Sequence, residues 1–242
     1  MEAIKTTNLS KRYGDTLAVD NLNLTVYKGE IFSLLGINGA GKTTTIKMLS
    51  CLSRPTEGDA YLMGKSILRD TAAVKSIIAL SPQETAVAPN LTAKENLELI
   101  CGVHGFSKDK SREKIEEMER LLSLQSIMGK KAGKLSGGWQ RRLSIAMALI
   151  SEPEILFLDE PTLGLDVIAR SELWDLIRSL KEKATIILTT HYMEEAETLS
   201  DRIAIMKDGR LLICDSPENI KLAAGTDSFE QAFISIVKGE KA

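Results

Sequence analysis

The run Gly36-Ile37-Asn38-Gly39-Ala40-Gly41-Lys42-Thr43 constrains this chain more than any other stretch. It fits G-x-x-x-x-G-K-[ST] and stands between an apolar strand, Ile31-Phe32-Ser33-Leu34-Leu35, and a helix through Thr44-Thr45-Ile46-Lys47-Met48-Leu49. The glycines let backbone N–H groups turn inward around a polyphosphate, and the helix N-terminus adds a partial positive charge. Lys42 is placed to reach the β- and γ-phosphates, and the Thr43 hydroxyl to ligate Mg²⁺. The loop alone does not separate kinase, GTPase and ATPase. No N-K-x-D stretch for guanine is present, which argues against a GTPase.

Around this loop the pattern alternates between strand and helix. Polar–apolar alternation over Asn21–Val26 predicts a strand, with a turn at Lys28-Gly29. From about residue 90 to 150 the pattern becomes helical: Ile115, Met118 and Leu122 share a face, and Glu116 can pair with Arg120 on the wet side. Pro153 stops the last of these helices. Ile155-Leu156-Phe157-Leu158 then reads as a parallel strand covered on both faces. A helix with Leu173, Leu176, Ile177 and Leu180 on one side follows. Next come a buried strand, Thr185–Thr189, and a helix from Tyr192 to Leu199. Ile203–Met206, Asp208-Gly209 and Leu211–Ile213 predict a hairpin. The expectation is an α/β core with a helical insertion, two lobes in one domain.

The bulk properties exclude several classes. A net charge of −2 over 242 residues argues against a nucleic-acid-dedicated protein. No apolar run approaches the roughly 18 residues of a membrane helix, and the N-terminus lacks signal-peptide features. Cys51, Cys101 and Cys214 read as reduced thiols of a cytosolic protein. Work on a membrane would therefore go through a partner.

Two further features carry chemistry. The strand 155–158 delivers Asp159 and Glu160 at the sheet's C-terminal edge, where ligands of open α/β sheets bind. Asp159 is placed to hold Mg²⁺ through water, and Glu160 to act as general base for an attacking water. Far downstream, Ser136-Gly137-Gly138 opens another helix with bare amides, and Ser136 can cap it. One nucleotide needs one such cradle, so the second points to a nucleotide held by another subunit.

Along nearly its whole length the chain resembles the nucleotide-binding subunits of ABC transporters. The carrying motifs, in order, are Tyr13, the phosphate loop, Gln83 in Ser81-Pro82-Gln83-Glu84, Leu135-Ser136-Gly137-Gly138, Ile155–Pro161, Leu163-Gly164-Leu165-Asp166 and Thr190-His191. The resemblance implies a P-loop NTPase core with a mixed, largely parallel sheet, helices on both faces, an N-terminal antiparallel β region and a helical subdomain. The core is expected over 1–88 and 152–225, the helical signature subdomain over 89–151 and a helical tail over 226–242. It also implies that Tyr13 stacks on adenine, that Gly36, Asn38, Gly39, Ala40, Gly41, Lys42, Thr43 and Thr44 hold the phosphates, and that Gln83 senses Mg²⁺ and the water. Ser136, Gly137 and Gly138 would grip the γ-phosphate of a second protomer, Asp166 would contact that partner's phosphate loop, and His191 would hold the γ-phosphate. Trp139 stands where the family most often has Gln.

The implied cofactors are ATP and Mg²⁺. The implied partners are a second ATPase subunit, identical or not, and an integral membrane subunit at the cytoplasmic face, with no nucleic acid. The stretch Thr189–Glu197 and the tail Asp227–Ile234 resemble ATPases of exporters whose membrane subunit is a separate chain. An importer ATPase and a soluble ABC protein acting on ribosomes or DNA are the alternative readings. The chain stops soon after the tail, which leads to the expectation that it lacks the regulatory domain of some importer ATPases. Phe229 and Phe233 predict an amphipathic end helix packed on the core.

Overall fold

The structure, a computed structural model, describes residues 1–239; the last three residues of the expected 226–242 tail lie outside them. A long first strand, β1 (Glu2–Tyr13), pairs antiparallel with two short strands in succession. Its C-terminal half meets β2 (Thr16–Leu22) and its N-terminal half meets β3 (Thr25–Tyr27). The single strand expected over Asn21–Val26 is thus two. Asn21 turns left-handed at φ 51°, and Asn23 Nδ2 fixes the break by donating to Asn21 O at 3.0 Å and Asn8 Oδ1 at 3.1 Å. The alternation survives because Leu22, Leu24 and Val26 are all still buried.

The buried strand β4 (Ile31–Leu35) leads into α1 (Lys42–Leu49). β5 (Glu57–Leu62) and β6 (Lys65–Ser66) then complete the antiparallel sheet in the order β2-β1-β5-β6. After α2 (Thr71–Lys75) and β7 (Ile78–Ser81) come three helices, α3 (Ala93–Val103), α4 (Lys108–Leu121) and α5 (Gly137–Leu149). The chain re-enters the core with β8 (Ile155–Asp159), α6 (Val167–Ser179), β9 (Thr185–Thr190), α7 (Met193–Leu199), β10 (Arg202–Lys207) and β11 (Arg210–Asp215). It closes with α8 (Pro217–Ala223) and α9 (Phe229–Lys238). The second sheet runs β11-β10-β4-β9-β8-β7 and is parallel except at the β10–β11 hairpin. That hairpin turns at Asp208 and Gly209, both with positive φ, as its Asp-Gly pair demands.

Alternate residues of the central strands serve different cores. Ile155 and Phe157 face the layer between the two sheets, with Phe32, Leu34 and Ile46. Leu156 and Leu158 face α3, α5 and α6 through Leu97, Leu143 and Ile177. A strand covered on both sides has to be apolar at every position, which is how β8 reads. The Glu116–Arg120 pair expected on α4 is not what its polar face uses. Lys114 there bonds Glu117 and Glu152, and Glu117 reaches Lys183 beyond α6 at 2.7 Å.

The parallel register brings four strand ends to one edge. Leu35 pairs with Thr190, Asp159 with Thr189 and Ser81 with Leu158. At the far side α9 packs Phe229, Ala232 and Phe233 on Ile203, Ile205 and Ile220. Phe229 is 2% exposed, so Phe229→Ala is expected to lower the unfolding free energy by about 3–5 kcal/mol without changing the ATP affinity of the folded protein. Denaturant titration beside calorimetry checks both halves.

Candidate active site

The phosphate loop is held open by backbone contacts that only glycine tolerates. At Gly41, φ is 99°, and a Cβ there would lie 2.5 Å from Ala18 O. At Gly36 it would lie 2.5 Å from Met206 O. The loop therefore threads between β2 and β10. A cleft of about 820 Å³ opens there, lined by Thr16, Leu17, Ala18, residues 38–44, Gln83, Glu160, Leu163, His191 and Asp208.

Lys42 lies almost buried at the cleft floor. Its Nζ donates to Gly36 O at 2.7 Å and Ile37 O at 3.3 Å and stands 3.9 Å from Glu160 Oε1. Burial draws the ammonium below its ordinary pKa, opposed by the charges of Glu160 and Asp159. Below the loop, Asp159 Oδ1 accepts from Thr43 Oγ1 at 3.3 Å and from Thr189 Oγ1 at 2.5 Å. The same Thr189 hydroxyl accepts from Glu160 N at 3.0 Å, which fixes its proton toward Asp159. Glu160 itself is left-handed at φ 48°, a conformation costly for a side-chain-bearing residue and held by that threonine. It turns the carboxylate into the cleft, where Oε2 lies 2.7 Å from His191 Nδ1.

This donor set suits Mg²⁺. The ion prefers one or two protein oxygens completed by substrate phosphates and water. Thr43 Oγ1 and Asp159 Oδ1 supply such a pair, with Gln83 on the adjoining wall. Among the described residues no group of three His, Cys, Asp or Glu could hold a metal alone.

Other expected site residues stand elsewhere. Tyr13 does not line this cleft. It ends β1 opposite Thr16, which does line it, and is half exposed with its hydroxyl 3.3 Å from Ser53 and Lys11 over its ring. Ser136, Gly137 and Gly138 are also outside the cleft, at the start of α5. Ser136 has N-cap backbone geometry, but its side chain makes no capping bond, contrary to expectation. The two glycines let α5 approach the start of α6 and the loop before it: a Cβ on Gly138 would be 3.2 Å from Ala169 Cβ in α6, and one on Gly137 3.5 Å from Leu165 Cδ2 in the loop. Asp166 is exposed and caps α6 by accepting from Ala169 N at 2.9 Å. Trp139 packs half-buried, with the Arg142 guanidinium 5.1 Å from its ring centre and Arg142 bonded to Glu172.

Two contributors escaped the sequence reading. Thr189 orders Asp159 and Glu160 together. Arg141, buried in α5, donates to Pro82 O and Gln83 O at 2.6 Å each, so the glycine-led helix holds the Gln83 loop. A charge on the apolar side of a helix was the available signal for Arg141. Thr189 looked like one more strand residue.

Together the parallel sheet, the glycine-framed loop and the carboxylates at its edge define a P-loop nucleoside-triphosphate hydrolase. The sequence model of the ABC transporter family matches residues 19–163. The human phospholipid-transporting ATPase ABCA3 is 44% identical over 92% of this chain, which spans only 13% of that protein. The daunorubicin resistance ATP-binding protein DrrA3 of Streptomyces coeruleorubidus is 40% identical over 94% of this chain and 72% of its own length. A solved dimeric ATP-binding cassette, in a post-hydrolysis state with ADP and phosphate, superposes with a TM-score of 0.77 at 30% identity, covering 88% of this chain and 98% of that one. The chain belongs to the ABC transporter family, as an ATP-binding and ATP-hydrolysing cassette.

Lys42→Ala removes the only cation lining the cleft among the described residues. Loss of a charge-assisted contact worth about 1.5–3 kcal/mol or more should weaken ATP binding at least roughly tenfold to a hundredfold. An unchanged Kd by calorimetry contradicts this placement.

Proposed function

We propose that this chain is the ATPase subunit of an exporter whose membrane-spanning part is a separate chain. It works at the cytoplasmic face, and two ATPase subunits close over shared ATP. The observation that carries this reading is a division within the chain: the phosphate loop lines the cleft, whereas Ser136–Gly138, at the start of α5, are not part of its lining. A helix start with bare amides is a strong anion site, and here it is completed by a cleft on another copy. Val167 and Ile168, 77% and 73% exposed beside Asp166, give that copy an apolar surface to meet. No helix among the described residues is long and apolar enough to cross a membrane, which fits transport through a partner. DrrA3 and a Burkholderia Nod factor export ATP-binding protein, named for resistance and export, support the direction.

In the closed site the amides of residues 38–44 and Lys42 neutralise the β- and γ-phosphate oxygens. Mg²⁺, when bound, would be held by Thr43 and, through water, by Asp159, with Gln83 alongside, and would supply further charge neutralisation. Water attacks the γ-phosphorus, its proton passes to Glu160, and the bond to the departing ADP oxygen breaks. His191, bonded to Glu160, keeps that carboxylate aimed and borders the γ-phosphate.

Glu160→Gln keeps this shape and loses the base. Turnover should fall by about 10²–10⁴ while ATP still binds. The trapped nucleotide should then hold two chains together by mass action. Light scattering should give a dimer with Mg-ATP and a monomer with ADP. A monomer under both conditions opposes the shared site. Co-purification of a hydrophobic multi-span protein, and loss of drug or peptide efflux on deleting both genes, test the transport half.

A further inference from the structure

Among the described residues, three buried side-chain polar atoms make no hydrogen bond: Thr162 Oγ1, Arg170 Nε and Glu195 Oε2. All three gather at one carboxyl group. Glu195, in the first turn of α7, is 0% exposed and follows His191 by four positions. Its Oε1 accepts from Trp174 Nε1 of α6 at 3.1 Å. Thr162, equally buried, follows Glu160 by two positions. Burial raises the Glu195 carboxyl above its ordinary pKa, and Thr190, Thr162, Trp174 and Arg170 all oppose that rise, so each lies close enough to act on it. Thr190 directly precedes His191. Arg170 covers the ring of Tyr192 at 4.8 Å. Arg141, which holds the Gln83 loop, feels the charges of both Glu195 and Asp159.

A carboxyl group in such a place is costly for stability alone. Burying an ionisable group is unfavourable unless every lone pair is used, and Trp174 occupies only one oxygen. An amide or an apolar side chain would fill the space at lower cost. What the carboxyl adds is a second acceptor, set between the segment after Glu160 and the segment after His191.

We infer that Glu195 is a positioning residue for hydrolysis: from beneath the site it ties α6 to the two loops that carry Glu160 and His191, so that their 2.7 Å contact is kept. The inference rests on the proposed roles of those two residues. Glu195 does not line the cleft and acts only through them.

Glu195→Gln keeps the side-chain shape and an acceptor for Trp174. The ATP Kd should stay within about threefold and the unfolding midpoint should not fall, because a buried ionisable group is lost. The kcat should drop at least about tenfold, since a 1 Å misplacement at a reacting centre costs on the order of 10²-fold. If this variant does not fold, Thr162→Val and Trp174→Phe, each removing one neighbour of the carboxyl, should give the same split. Wild-type kcat in the folded variants overturns the inference. So does a kcat loss matched by equal losses in ATP affinity and stability, which is what a merely structural residue gives. Glu160→Gln in the same assay keeps the two readings apart. If it retains turnover, the reading of Glu160 fails. If it loses turnover while Glu195→Gln does not, only the inference about Glu195 fails.

Discussion

One carboxylate oxygen joins the three parts of this site. Asp159 Oδ1 accepts from Thr43 at the start of α1 and from Thr189 at the end of β9, while its own backbone ends β8. Each partner comes from a different βα unit, so the phosphate loop, Glu160 and the segment that leads to His191 are registered to one point. Asp159 is only 6% exposed, and a buried carboxylate is tolerated when its lone pairs are used. Charge and hydrogen bonding thus set the geometry that the apolar strands only bring near.

From that junction the chain carries two glycine-led helix starts, which the proposed shared site uses as its two halves. The cleft has the phosphate loop, Lys42 and Glu160. The start of α5 has glycines, a free serine side chain and a close seat on the loop that Asp166 ends. Arg141 connects the halves by gripping the carbonyls of Pro82 and Gln83. Movement of α5 against a second copy would therefore be felt at Gln83, and through Asp166 and α6 at Glu195. In the proposed dimer, hydrolysis and subunit contact would share one set of struts.

Much of this was legible before any coordinates. Gly36–Thr43, the apolar β8 and the Asp208-Gly209 turn are local signals, each fixed by neighbours in sequence, and the structure places them as read. The errors are all long-range or side-chain choices. Asn21 breaks a strand whose alternation continues undisturbed, because β3 meets the same long β1. Ser136 has the sequence of a cap and the backbone of one, yet leaves its hydroxyl unused. Thr189, Arg141 and Glu195 matter for what they touch 20 to 60 positions away, and no pattern within a window carries that.

The division of the nucleotide grip between two copies is the central claim, and mixing two inactive variants tests it most directly. Lys42→Ala spoils the phosphate loop and Ser136→Arg spoils the helix start, so each homodimer has two broken sites. A mixed dimer has one site with both halves intact. The account predicts that combining the two purified variants restores ATP hydrolysis that neither shows alone. A mixture that forms mixed dimers yet stays as inactive as its parts would contradict it.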